Sequence, residues 1–109
     1  MATSCAVKHQ ESSMAEVTIS RHGSDSAGEY HAHIPGETAI GRLTWSEHNG
    51  ARIAEHTLVP PEIAGRGIAA LLVEALIADA RELGFKVIPA CSYVAAQFKR
   101  HAEWTDLRA

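Results

Sequence analysis

The residues that could do chemistry gather around one junction. Val59-Pro60-Pro61-Glu62-Ile63-Ala64-Gly65-Arg66-Gly67-Ile68-Ala69 joins an apolar, β-branched run to an amphipathic helical pattern. Glycines let a backbone approach a phosphate closely, and the free N–H groups of a helix's first turn point at it. The helix dipole adds partial positive charge at the same end. A pyrophosphate-bearing ligand is the expectation. The same glycines would also serve a tight connection and nothing more. The run has neither the Lys-Ser/Thr of a P-loop nor the three-glycine spacing of a dinucleotide fingerprint. His31 and His33 share one strand face, but no third ligand stands near them in sequence, so no metal site is expected. Trp45 and Trp104 read as packing residues.

The elements that must position this junction follow from periodicity. Met1 to Met14 is polar, small and aperiodic, and reads as a flexible leader to a single domain, residues 15–109. Val17 and Ile19 alternate with Thr18 and Ser20 in a first strand. Glu29 to Ile34 is a second, stopped by Pro35-Gly36. Thr38 to Ser46 is a third. Asn49-Gly50 is a hairpin signal, so Ala51 to Val59 is a fourth strand, antiparallel to the third. A helix runs from about Arg66 to Leu83, with Ala69, Leu72, Leu76, Ala80 and Leu83 on one face and Gly84 as its C-cap. Phe85 to Cys91 is a fifth, short strand, and Tyr93 to about His101 a second helix. The order is β-β-β-β-α-β-α. A right-handed crossover sets strand five parallel to strand four, in an otherwise antiparallel sheet. The fold class is α+β.

Bulk properties narrow the function classes. A chain of 109 residues has room for one modest core. A net charge of −3 argues against sequence-independent nucleic-acid binding, which needs a basic surface. The two cysteines, Cys5 and Cys91, form neither a metal-type pair nor a disulfide framework, and read as reduced thiols of a cytoplasmic protein. No apolar run is long enough to span a membrane, and the N-terminus has no signal-peptide core.

The element order and the junction together resemble the GNAT superfamily of acyl-coenzyme A-dependent acetyltransferases. Its junction reads Gln/Arg-x-x-Gly-x-Gly/Ala, matched here by Ala64, Gly67 and Ala69, with Ala64 departing from the usual Gln or Arg. The resemblance is closer still to a branch of short, single-domain N-acetyltransferase domain-containing proteins. Its hallmarks appear as His56-Thr57-Leu58-Val59-Pro60, Val87-Ile88-Pro89-Ala90-Cys91 and Lys99-Arg100-His101, over roughly Glu29 to Leu107.

This resemblance implies a compact sheet whose strands four and five splay apart. The pantetheine arm of coenzyme A would enter the wedge and pair with backbone around Thr57, Leu58 and Val59. Gly65, Arg66, Gly67, Ile68 and Ala69 would hold the pyrophosphate, mainly through backbone amides. Acetyl transfer needs a neutral amine, hence a general base; histidine suits this near neutral pH. Alternation puts Glu55 and His56 on opposite strand faces, and the branch motif favours His56. Cys91, at the end of strand five, would lie near the thioester as nucleophile or acid; a small buried hydrophobe is the other reading. Lys99, with Arg100 and His101, could meet the 3′-phosphate, although a helix C-terminus favours such residues anyway.

One departure bears on catalysis. Many members protonate the coenzyme A thiolate with a tyrosine of the last helix, and Phe98 stands there. The expected activity is acetyl-coenzyme A-dependent transfer to a primary amine of an unidentified acceptor, small molecule or protein. The alternatives are an acyl-coenzyme A-binding module or sensor with little turnover, and an interaction protein that kept only the fold.

Overall fold

The computed structural model describes residues 17–109. The expected leader and Cys5 lie outside the described residues. The strands are β1 (Thr18–Gly23), β2 (Ala27–His33), β3 (Ile40–His48), β4 (Ala51–Leu58) and β5 (Lys86–Pro89). The helices are α1 (Ile68–Leu83) and α2 (Ser92–Arg100), with short 3-10 turns at Pro61–Ile63 and Ala102–Leu107. One sheet runs in the order β1-β2-β3-β4-β5. Its first four strands are antiparallel, and β5 lies parallel to β4, as expected.

Local chemistry sets the connections. Asn49 and Gly50 have φ of 53° and 83°, the positive pair that a two-residue hairpin loop demands. Gly67 has φ 75° and is the N-cap of α1, so the helix begins at Ile68, not at Arg66. Gly84, with φ 81°, caps its other end, donating its N–H to the Ala80 carbonyl at 2.9 Å.

The apolar groups collect on one face of the sheet. Tyr30, Ala32, Leu43, Trp45 and Ala54 meet Ile68, Leu72, Val73, Leu76 and Ile77 of α1, with Val94 and Phe98 of α2. Gly41 makes the contact close. A Cβ there would stand 2.8 Å from Ile68 Cγ2, so only glycine lets the first turn of α1 lie on β3. The helix stripe differs from its sequence reading at the ends: Leu83 is exposed, and Ile68, Val73 and Ile77 are buried.

Asp79 is a buried charge on the sheet side of α1. It accepts from Arg21 Nε at 2.8 Å and Nη2 at 3.0 Å, and from the Tyr30 hydroxyl at 2.7 Å. Arg52 donates to the same hydroxyl at 2.9 Å and stacks between Trp45 and Phe85. A buried charge is tolerated when paired and hydrogen-bonded in this way. Beyond α2 the chain folds back onto the core, and Trp104 packs as expected. Trp104 and Leu107 are buried, Trp104 stacks on His101 at 4.0 Å, and Ala109 donates to the Val87 carbonyl at 2.9 Å.

Among the described residues, no element packs on the other face. In the register, His22, Glu29, Thr44 and His56 form one row across it, and Ser20, His31, Arg42 and Leu58 the next.

Candidate active site

Strands β4 and β5 separate where the resemblance requires. Their pairing ends at Ala54↔Pro89, and the last bond between them runs from the Cys91 N–H to the Ala54 carbonyl at 2.8 Å. Beyond it, Glu55–Leu58 keeps β3 on one side and has no strand partner on the other. A strand edge with unpaired N–H and C=O groups can bind an extended amide-bearing chain.

The vertex of this opening holds two of the expected residues together. Thr57 Oγ1 lies 3.5 Å from Cys91 Sγ. Cys91 is half-buried and is the N-cap of α2. Burial pushes its thiol up. Hydrogen bonding from the Thr57 hydroxyl, and from backbone groups of Val94, Tyr93 and Thr57, outweighs burial and holds it below the ordinary range.

A β-bulge corrects one expectation. Trp45 pairs with Ala54 and Thr44 with His56, so Glu55 is the extra residue. The extra residue breaks the alternation on which opposite faces for Glu55 and His56 rested. His56 faces the open side with Thr44. Glu55 shares that side, accepting from the Ser46 hydroxyl at 2.8 Å. Thr57 faces the helices, opposite Leu43. His56 and Cys91 therefore flank β4 from different faces. No sequence signal marked the bulge.

At the glycine turn, Gly65 has φ 80°, and a Cβ there would meet nothing within 4 Å, so the space above it is open. No side chain caps the first turn of α1. Its leading amides, including Ile68 and Ala69, have no partner within the helix. The Ile68 side chain is buried, so only its backbone can serve. Arg66 is tied to Glu37 at 3.3 Å. Leu58 is exposed, while Val59 packs against the core.

A groove of about 400 Å³ opens on the helix-free face, lined in part by His22, Glu29, Thr44 and Glu55. Thr44 Oγ1 is buried with no hydrogen-bond partner. Unsatisfied buried hydroxyls are rare and call for a partner. Sequence reasoning missed Glu29 and Thr44, which join the site only through cross-strand register.

A family model of GCN5-related N-acetyltransferases matches residues 29–107. The chain belongs to this family. Compared with the curated proteins, it finds no significant match. In this GCN5-related N-acetyltransferase, the matched residues include both the splayed strands and the uncapped glycine turn. Phe98, at the expected tyrosine position, is buried edge-on against Trp104, with centroids 5.6 Å apart. Lys99 and Arg100 are exposed on the last turn of α2. His101 is drawn away from them, paired to Glu103 at 3.0 Å and stacked on Trp104. Among the described residues, no helix is long and apolar enough to cross a membrane.

Proposed function

We propose that this chain transfers the acetyl group of acetyl-coenzyme A to a primary amine. The observation that carries the reading is the unpaired edge of Glu55–Leu58, opening beside the uncapped first turn of α1. The residues fit the donor. Backbone of Thr57, Leu58 and Val59 would meet its pantetheine amides. Amides from Gly65 to Ala69 would meet its pyrophosphate, and Lys99 its 3′-phosphate. When bound, acetyl-coenzyme A supplies an activated acetyl thioester.

The chain's own groups then handle protons. His56, exposed on the open face, accepts the amine proton at a ring nitrogen, a role worth about 10²–10⁴-fold in rate. Cys91 Sγ holds a proton at the vertex, and its lowered affinity for that proton suits it to supply a departing thiolate. Glu29 and Glu55 line the groove on the acceptor side and favour a cationic, amine-bearing substrate. The family and the chemistry of the site together support this reading; the acceptor itself is unidentified.

The second reading is an acyl-coenzyme A-binding module with little turnover. It is favoured by Phe98, which has no proton to give. Calorimetric titration with acetyl-coenzyme A, followed by a time course of acetylation on a panel of primary amines, decides. One-to-one binding with turnover above the uncatalysed rate supports the enzyme. Binding without turnover supports the module. No binding removes both readings.

A further inference from the structure

The open face of the sheet gathers three imidazoles that sequence separates. His31 and His33 alternate onto one face of β2, and antiparallel pairing brings His22 of β1 beside them. One ligand atom from each of His22, His31 and His33 falls within 4.8 Å of the others. The third ligand absent from the local sequence is thus supplied across strands. The His22 and His31 rings lie 4.2 Å apart, and those of His31 and His33 6.2 Å apart.

We propose that His22, His31 and His33 form a binding site for a borderline divalent transition-metal ion such as Zn²⁺, on the helix-free face. Three features carry the assignment. First, the donor set is all imidazole, which selects Zn²⁺ and its neighbours over the hard, oxygen-seeking Ca²⁺ and Mg²⁺. Second, two of the three nitrogens, those of His22 and His33, already meet at one point. Ser20 Oγ lies 2.8 Å from His22 Nε2 and 2.9 Å from His33 Nε2. A metal–nitrogen distance of about 2.0–2.1 Å places ligand nitrogens roughly 3.3 Å apart. The cluster therefore needs to contract by up to about 1.5 Å, which rotation of the exposed His22 and His33 side chains about the half-buried His31 can supply. Third, Glu29 Oε1 lies 2.7 Å from His31 Nε2. With Nε2 held by the carboxylate, Nδ1 of His31 is the nitrogen left to ligate, and a carboxylate on the far nitrogen of a ligating imidazole fixes its orientation and raises its basicity. Water completes the coordination on the open side.

The site would tie the edge strand β1 to β2. It stands at one end of the row that runs through Glu29 and Thr44 to His56, within reach of the acceptor groove. The proposal does not depend on acetyl transfer and stands or falls separately from it.

The test is calorimetric titration of the full-length chain with Zn²⁺, with thermal melting and Co²⁺ absorption as second readouts. The expected result is one equivalent bound at micromolar affinity or better, a Tm raised by excess Zn²⁺, and a Co²⁺ spectrum without thiolate charge transfer. His31→Gln and His33→Gln should each weaken binding at least 10-fold, with the metal-free Tm unchanged. His48→Gln, an exposed histidine at the far end of β3, should bind as the parent does. Undiminished affinity in His31→Gln and His33→Gln, or no Zn²⁺ binding at 100-fold above micromolar concentration, would overturn the site. A thiolate band would assign the metal to a cysteine instead.

Discussion

The Thr57 hydroxyl stands 3.5 Å from the Cys91 thiol, at the point where two parallel strands part. The contact joins residues 34 positions apart. It ties the end of β4–β5 pairing to the start of α2, where backbone N–H groups face the sulfur. The chemistry of Cys91 is therefore set by the splay itself.

Removing that hydroxyl should make Cys91 less acidic. In a Cys5→Ser background, Thr57→Val is expected to shift the pH profile of Cys91 alkylation upward. The sign also holds for stability. A thiol held below its ordinary value contributes stability present above its unfolded pKa and lost as pH falls through the folded one. An unmoved alkylation profile would remove Thr57 from the account.

Gly67 should be intolerant of substitution for two separable reasons. Its φ of 75° costs any other residue about 1–2 kcal/mol, and a side chain there would crowd a bound pyrophosphate. Gly67→Glu is expected to abolish acetyl-coenzyme A binding. Gly50→Ala, with φ 83° in the distant hairpin, should lose similar stability and keep its affinity. Equal affinities for the two variants in calorimetry would show that the turn holds no phosphate.

Gly41 should couple stability to binding. Gly41→Val drives a side chain into Ile68 Cγ2, and overpacking of this kind costs about 1–3 kcal/mol. Because Ile68 opens α1, the amides of the first turn move with it. Urea melts should show the lost stability, and calorimetry a weaker acetyl-coenzyme A affinity in the variant that still folds.

His56 should matter to rate and little to folding. It is exposed, so His56→Gln is expected to leave Tm within about 1 °C and lower kcat for amine acetylation by about 10²-fold or more. Unchanged kcat would pass the base role to Glu55, which the bulge turns to the same face.

Asp79 should govern the acid limb of stability. Burial pushes its carboxyl up, but bonds from Arg21 and Tyr30 outweigh that and hold it below the usual range. Its stabilisation is then complete above the unfolded carboxylate value of about 3.9 and lost as pH falls through the folded one. Asp79→Asn is expected to cost about 2 kcal/mol at neutral pH. Its stability should also decline less than the parent's between about pH 5 and pH 3. Parallel acid limbs in urea unfolding would contradict this.

Features under short-range backbone control were legible before folding. The Asn49-Gly50 hairpin, the glycine turn before α1, the Gly84 cap and the order of elements are each dictated by a few neighbouring residues. Their φ and ψ preferences do not wait for the rest of the chain. The helix stripe was legible through Leu72, Leu76 and Ala80 because periodicity is also local. What depends on register between strands emerged only with the folded sheet. It placed the bulge at Glu55, which put Glu55 and His56 on one face. It set Glu29 and Thr44 along the groove of the helix-free face and brought His22 to His31 and His33. It buried Asp79 beneath Arg21, and folded Trp104 back onto Phe98 and His101. In a sheet the partner of each residue is fixed by pairing with a distant segment. One inserted residue turns every side chain beyond it to the other face, so no local pattern can announce the site that results.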